Sequence, residues 1–394
     1  MKLTDHIVSV GIDDASVRAF EAQYPTPHGM SYNSYVIVDK KIAVMDSVEA
    51  GEGDRWISNI LYATSGREPD YLVVHHMEPD HSACIVQALD RFPNLIVVSS
   101  AQALKMLPQF FPDENFSSRL LTVREGDMLE LGEHRLTFFA APMIHWPEVM
   151  VSFEASTGTL FSADAFGKFG SLQYTDNWVS GARRYYTNIV GRYGAQVQTL
   201  LKKIGCLPIK RIASLHGPVL TEPLAPYIEL YNKWSLYEPE ERGVLVVYAS
   251  IYGGTAAAAI QLSDHLHRLG VETVVTLDLA RTDQSEAVAQ AFRLSHLVLA
   301  SPTYDSGLFP PMHDFIHHLG LKNFRNRSVG YIENGSWAPT AAKRMQALMA
   351  TMPGIVDVDP VVSIRSRLNE ESRGKLMQLA HALAESVEHD CETL

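Results

Sequence analysis

Along residues 7–220, short apolar runs of strand length alternate with longer stretches whose apolar positions recur every three or four residues. The runs at 35–38, 42–46, 72–74, 95–99 and 136–140 read as strands, and 53–64 and 100–106 read as helices, a mixture that predicts a layered α/β unit. Residues 227–242 carry aromatics and then the charged, proline-bearing Glu238-Pro239-Glu240-Glu241-Arg242, which suits a connection between units. From Gly243 the pattern becomes regular. Strands at 244–248, 271–277, 297–300, 329–332 and 356–362 are each followed by a helix, beginning at 255, near 286, near 312, at 339 and at 370. Five βα units over about 150 residues predict a doubly wound parallel sheet. Neither internal repeats nor low-complexity tracts interrupt the pattern.

The length of 394 residues exceeds what one core usually holds, so two domains are expected, 1–240 and 243–394. Hydrophobic residues make up 46% and charged residues 20%, ordinary values for a globular protein, and the apolar runs are too short to span a membrane. The first residues, Met1 to His6, carry an acid and no apolar core of signal-peptide length, so export is not expected. Cys84, Cys206 and Cys391 are scattered and form no CxxC pair, which excludes a rubredoxin-like iron module in this sequence, argues against a disulfide framework and fits a reducing cytoplasm. A net charge of -12 disfavours nucleic acid, whose phosphates call for basic patches, and leaves small molecules or a docking protein as partners.

The densest chemistry is His76-Met77-Glu78-Pro79-Asp80-His81, two imidazoles and two carboxylates in six residues just after an apolar run. In an extended segment residues 76, 78 and 80 share one face and can converge, while His81 points to a second locus; His75 points to the opposite face. The run resembles the HxHxDH dinuclear zinc motif of the metallo-β-lactamase fold, with Glu78 in place of its second histidine. Replacing a nitrogen donor by a carboxylate hardens the site and shifts preference from zinc toward a redox metal such as iron. Further donors follow other strand-like runs: His145 in His145-Trp146-Pro147, Asp164 in Asp164-Ala165-Phe166-Gly167, and His216 in His216-Gly217-Pro218. The set closes as two shells: His76, Glu78 and His145 on one metal, Asp80, His81 and His216 on the other, with Asp164 bridging both through its two oxygens.

The second domain carries a phosphate cradle. Its first strand ends in Ser250-Ile251-Tyr252-Gly253-Gly254-Thr255 and runs into a strong helix start, Ala256 to Ala259, so that backbone N–H groups, hydroxyls and a helix N-terminus can surround a phosphate. Pro302-Thr303-Tyr304-Asp305-Ser306-Gly307 follows the third strand and Asn334-Gly335-Ser336-Trp337 the fourth; in a flavodoxin-like sheet these loops meet at the carboxyl ends of the strands. Trp337 is the aromatic that would flank a bound ring system.

Together these motifs resemble the flavodiiron proteins, or A-type flavoproteins, over essentially the whole chain, including Tyr32-Asn33-Ser34-Tyr35 and Arg184-Tyr185-Tyr186-Thr187-Asn188-Ile189. The resemblance implies a metallo-β-lactamase-like αββα sandwich holding two non-haem iron ions, followed by a flavodoxin-like domain holding FMN. It implies that one of Tyr185 and Tyr186 lines the diiron pocket, with Tyr24 and His28 as further pocket candidates. It also implies reduction of dioxygen to water, of nitric oxide to nitrous oxide, or both, with electrons relayed through FMN. The donor would be a separate rubredoxin-like protein or a reduced deazaflavin, and the assembly a head-to-tail homodimer or a dimer of such dimers. The chain departs from the family pattern at Ile251, commonly methionine, at Asp305 and Ser306, where asparagines are common, and in the loop from Glu333 to Pro339; Asp305 and Glu333 bring acids toward the expected flavin. Two other classes remain open at this point: a hydrolase of the metallo-β-lactamase fold with a flavodoxin-like regulatory domain, and a flavin electron carrier or redox sensor with a vestigial metal site.

Overall fold

The computed structural model describes residues 1–116, 118–174 and 177–389 and divides into two compact units, Met1–Asn232 and Lys233–Leu394. Cys391 lies outside the described residues.

The first unit holds two six-stranded sheets. One runs β1 (Ile7–Ser9), β2 (Tyr35–Ile37), β3 (Ala43–Met45), β4 (Tyr71–Val73), β5 (Ile96–Ser100) and β6 (Leu120–Val123); the other runs β7 (Met128–Glu130), β8 (Arg135–Ala140), β9 (Met150–Glu154), β10 (Thr159–Phe161), β11 (Arg211–Ala213) and β12 (Leu220–Thr221). Because side chains alternate across a strand, every second residue of the first sheet, such as Tyr35 and Ile37, Ala43 and Met45, and Tyr71 and Val73, meets Leu136, Phe138, Met150 and Phe161 of the second in one core. The intervening Val36, Val44 and Leu72 are buried as well, so both faces of the first sheet are covered. Helices such as Gly53–Ala63 and Ala101–Phe110 are amphipathic and bury Trp56 and Ile60, and Ala103 and Leu107. The result is the αββα sandwich of the metallo-β-lactamase fold.

In the second unit five parallel strands, β13 (Glu241–Tyr248), β14 (Val274–Asp278), β15 (Leu294–Tyr304), β16 (Arg327–Asn334) and β17 (Ile355–Ile364), lie in the spatial order β14-β13-β15-β16-β17. That 2-1-3-4-5 order is the flavodoxin-like one. Leu245, Val247, Leu297, Leu299, Val329 and Tyr331 face one set of helices, and Val244, Val246, Val298, Ala300 and Ile332 face the other. Burial on both faces explains why these strands read as continuous apolar runs.

The segment read as a connection, 227–242, contains the division between the units after Asn232 but is not irregular throughout: helix Ala225–Ser235 fills its first part, burying Tyr231 and Trp234, and β13 begins at Glu241. Nor does the metal motif stay extended through residue 80, because Pro79–Ser82 forms a helical turn. Proline is at home at the first position of a helix, where its missing N–H costs nothing, so Glu78-Pro79 ends the extended run. Among the described residues no helix is long and apolar enough to cross a membrane.

Candidate metal centre and second-unit cavity

All seven predicted donors gather at the ends of strands in the first unit. His76, Glu78, Asp80 and His81 follow β4, His145 follows β8, Asp164 follows β10 and His216 follows β11. They form two groups, His76 with Glu78, His145 and Asp164, and Asp80 with His81 and His216; within each, one donor atom per residue lies within 4.8 Å of every other. The helical turn at Pro79 produces this split, carrying Asp80 to the second group rather than leaving it on the face of residues 76 and 78.

Asp164 stands between the groups. Its Oδ2 is 3.1 Å from His145 Nε2 and 3.6 Å from His76 Nε2, and its Oδ1 is 3.2 Å from His81 Nε2 and 3.8 Å from His216 Nε2. Like the other imidazoles, His81 and His216 point their Nε2 atoms at one another, 3.1 Å apart. Both oxygens of Asp80 and of Asp164 are buried without a hydrogen-bond partner among the described residues. Buried polar atoms are normally satisfied. Four imidazoles and three carboxylates converging with orphaned oxygens fit two divalent cations of intermediate hardness, with Asp164 shared.

The electrostatics agree. Burial by itself would raise Glu78, yet His145 and His76 beside it hold its carboxyl below the usual range; Asp164, enclosed by the same histidines and His81, is held well below. Burial opposes charge on His145, but Asp164 and Glu78 carry it up to about 9. In the absence of cations these groups hold protons that metal binding would displace.

His75 is turned away, as its position predicts: its Nδ1 and backbone N–H bond to Asp46 and its Nε2 to Ser152 Oγ. The tyrosine pair is resolved by geometry. Tyr185 and Tyr186 are adjacent and both buried, so their rings project in different directions. Tyr185 packs against His216, ring centroids 5.5 Å apart, and against Phe169, whereas Tyr186 packs on Tyr231. Burial, followed by the charges of Asp164, Glu78 and Asp80, pushes the Tyr185 phenol well above its ordinary value, and its hydroxyl has no hydrogen-bond partner among the described residues. Tyr185 therefore faces the cluster. Tyr24 packs on Phe169 with its hydroxyl toward the Asn188 carbonyl, and His28 is exposed and stacked on Tyr174.

Three contributors escape a reading of the sequence. Glu148 accepts from His76 Nδ1 at 2.8 Å, and the Ser31 carbonyl accepts from His216 Nδ1 at 2.7 Å. Glu148 sits three residues after His145, which was the available signal; a backbone carbonyl leaves none. The third is Glu21, in the turn between Ala19–Phe20 and Tyr24–Pro25, with a left-handed φ of 49°. It shares with Phe20, Tyr32, Glu78 and Asp80 a cavity of about 320 Å³ that opens onto both donor groups. Desolvation of its carboxyl and then the charge of Glu78 raise Glu21 to about 7.

In the second unit, loops at the carboxyl ends of the strands line a cavity of about 620 Å³, within the range of roughly 300–1,000 Å³ of small-molecule sites. Of the predicted loop residues, Ser250, Ile251, Tyr252, Gly254, Thr255, Pro302, Thr303, Tyr304, Asp305, Ser306, Asn334, Gly335, Ser336 and Trp337 line it. Gly253 and Gly307 do not; they shape the turns. Gly253, at φ 83°, is the N-cap of helix Gly254–Arg268 and makes no side-chain cap, leaving the first N–H groups of that helix open to an anion. Gly307 pairs with Tyr304 in a hairpin whose two-residue turn, Asp305-Ser306, has positive φ at both positions. A Cβ on Gly254 would meet the Ser366 carbonyl at 2.1 Å, so only glycine lets these loops close on one another. Ala338 and Thr340 line it as well, and so do Ser366 and Arg367, which follow β17 and which the sequence reading missed. That reading also placed Glu333 at the cavity. Instead that carboxylate is turned to the N-terminus of helix Ala341–Met349, where it accepts from Ala342 N at 3.0 Å, leaving Asp305 as the acid on the lining. A cavity with an uncapped helix start at one end and an exposed tryptophan at its rim fits a mononucleotide carrying a flat ring system.

Comparison with known proteins points the same way. The family described as "ODP family beta lactamase" matches residues 30–217. An uncharacterized protein of Methanocaldococcus jannaschii is 26% identical over 98% of both chains, and the anaerobic nitric oxide reductase flavorubredoxin of Salmonella typhi is 26% identical over 85% of this chain and 72% of its own length. Among solved structures, the rubredoxin oxygen:oxidoreductase of Desulfovibrio gigas superimposes with a TM-score of 0.91 at 22% identity, covering 99% of this chain and 98% of that one. The flavodiiron protein of Giardia intestinalis gives 0.92 at 24% identity, covering 100% and 97%. Residues 30–217 thus match the ODP family model, and the chain as a whole shares its fold with the flavodiiron protein of Giardia intestinalis and the rubredoxin oxygen:oxidoreductase of Desulfovibrio gigas.

Proposed function

We propose that this chain is an oxidoreductase that reduces dioxygen to water, nitric oxide to nitrous oxide, or both, at two iron ions in the first unit, fed through FMN in the second. The observation that carries the reading is the occurrence on one chain of a closed seven-donor dinuclear cluster and a mononucleotide-shaped cavity. Two ferrous ions and one reduced flavin supply the four electrons that dioxygen needs, or more than the two that couple two nitric oxide molecules.

His76, Glu78 and His145 would hold one iron, Asp80, His81 and His216 the other, and Asp164 would bridge them. Tyr185 keeps its phenolic proton under the charges around it, so its unpartnered hydroxyl can donate to an oxygen or nitrogen atom at the cluster. Phe20 stands edge-on to His216, 5.2 Å away, and with Phe169 walls the pocket against water. In the second unit the start of helix Gly254–Arg268, with Ser250 and Thr255, would hold the flavin phosphate, and the Thr303 to Ser306 and Asn334 to Trp337 loops its ring system.

The electron donor in this proposal is a separate rubredoxin-like protein or a reduced deazaflavin, as the resemblance implies. Head-to-tail pairing, as a homodimer or a dimer of dimers, and a cytoplasmic location complete the proposal. The test is metal and flavin content after purification without air, then chemical reduction and separate additions of dioxygen and nitric oxide with each gas monitored. Near two irons and one FMN per chain with gas consumption is the expected result; zinc without flavin would replace the reductase by a hydrolase.

A further inference from the structure

The two donor groups are not equivalent in what stands behind their histidines. His216 Nδ1 donates to a neutral acceptor, the Ser31 carbonyl, and His81 Nδ1 is buried with no partner among the described residues. His76 Nδ1 instead donates to a carboxylate, Glu148 Oε1, at 2.8 Å. The same oxygen accepts from the Met77 backbone N–H at 2.9 Å, while Oε2 is buried without a hydrogen-bond partner. Glu148 is 1% exposed, and it sits in the loop that also delivers His145. One short segment, His145-Trp146-Pro147-Glu148, thus provides a donor of the first group and a brace for another, and the Trp146 ring stands edge-on to His76, 5.2 Å away, on a further side.

We propose that Glu148 is a positioning residue that makes the metal position at His76, Glu78 and His145 the tighter of the two. The inference rests on the cluster being a dinuclear metal site, as proposed above. A carboxylate on the far nitrogen fixes the tautomer, so that Nε2 presents its lone pair to the metal, and raises the basicity of the ring. The second bond, to Met77, fixes the chain direction between His76 and Glu78, so both of these donors depend on it. The second group gains no such charge. Removing a partner of this kind ordinarily weakens metal binding about 10- to 100-fold.

The test is cobalt(II) titration of the metal-free full-length protein, followed by its visible absorption and by metal retained after gel filtration, for the wild type, Glu148→Gln and Glu148→Ala. Glutamine keeps the shape and can still accept both bonds through its oxygen but lacks the charge, which separates electrostatics from packing. The expected result is two unequal sites in the wild type, a first site weakened roughly tenfold in Glu148→Gln, and in Glu148→Ala a retained stoichiometry of one with flavin content unchanged. Two cobalt ions held as tightly in Glu148→Ala as in the wild type would overturn the inference while leaving the dinuclear site intact. Equal loss of both ions in Glu148→Ala would overturn it too, since that marks a general collapse of the site. A wild type that binds no cobalt would remove the dinuclear reading and the inference together.

Discussion

The two candidate sites are built by opposite means. The metal centre is made of side chains: seven donors, most of them buried, arrive from the ends of four strands and are held by further buried groups such as Glu148. The second-unit cavity is made largely of backbone and turn geometry, with its bulkiest side chains at the rim, where Tyr252 is 95% exposed and Trp337 82%. A site of the first kind is a fixed charge constellation, and deleting one member leaves the others unbalanced in a dry interior. A site of the second kind tolerates changes in its side chains and fails where the backbones approach most closely.

The largest effect that tests this contrast is expected at Asp164, the one residue both donor groups share. Asp164→Ala should remove both irons and lower gas turnover to less than about one hundredth of the wild type, beyond the range of losses typical of outer-shell partners, while FMN stays bound and is still reduced. Asp80→Ala or His81→Ala should abolish turnover as well, again without touching flavin reduction. Metal analysis and flavin absorbance on the same samples check both; turnover surviving with the iron gone would sink the mechanism.

Next in size is the converse change. In Gly254→Val the added carbons have no room, since even a Cβ would lie 2.1 Å from the Ser366 carbonyl and 3.0 Å from Asn334 Nδ2. The loops must part, and FMN affinity is expected to fall by at least about 100-fold, the loss of two to three kcal/mol that a disrupted backbone fit brings. Two irons should remain. Parallel loss of metal and flavin in either variant would mean that the two sites are not separable as the structure has them.

The same contrast explains what the amino-acid pattern revealed. Donor side chains are visible in a sequence, so the His76 to His81 run, His145, Asp164 and His216 could be assembled before any fold was known. The parallel unit was equally legible, because its doubly buried strands leave apolar runs with helices between them. Features fixed by local backbone chemistry were not. Pro79 turns the extended motif helical from residue 79, so that Asp80 leaves the face of residues 76 and 78 and stands with His81 and His216, the group to which the donor count had already assigned it. Tyr185 and Tyr186 are alike on paper and differ only in which neighbours their rings meet. Ser366 and Arg367 reach the cavity from a loop with no phosphate or ring signature, and Glu21 reaches the metal pocket from a strained turn.

A smaller effect separates the metal-free first unit from the metal-bound one through pH. Without cations, Asp164 and Glu78 carry His145 up to about 9, against an ordinary value near 6.5. A folded-state pKa above the unfolded one stabilises the fold fully below pH 6.5, and that contribution disappears as pH rises through 9. The metal-free protein should therefore melt at progressively lower temperature from pH 6.5 to 9, by on the order of several degrees, and metal affinity should rise over the same window as protons cease to compete. With both metals bound the decline should vanish. Thermal melts at pH 6.5, 7.5 and 9, with chelator and with metal, decide it; a flat profile in chelator would count against the proton-holding cluster.

The smallest expected effect tests the cavity alone, through its two acids. Asp305 lines the cavity in the hairpin turn, whereas Glu333 is turned away to accept from the Ala342 N–H at a helix start. A negative charge beside a flavin disfavours its reduced, anionic form, so Asp305→Asn should raise the flavin reduction potential modestly, with flavin affinity unchanged or slightly improved. Glu333→Gln should leave the potential where it is. Its cost falls on the fold instead, about 0.5–1 kcal/mol from weakening a charge-assisted bond at a helix N-terminus, read as a small drop in melting temperature. Spectroelectrochemical titration of both variants would distinguish them. A potential that moves with Glu333 and not with Asp305 would mean that the bound ring sits against the β16 side of the cavity rather than the hairpin, and the assignment of the Thr303 to Ser306 loop to the ring would have to be withdrawn.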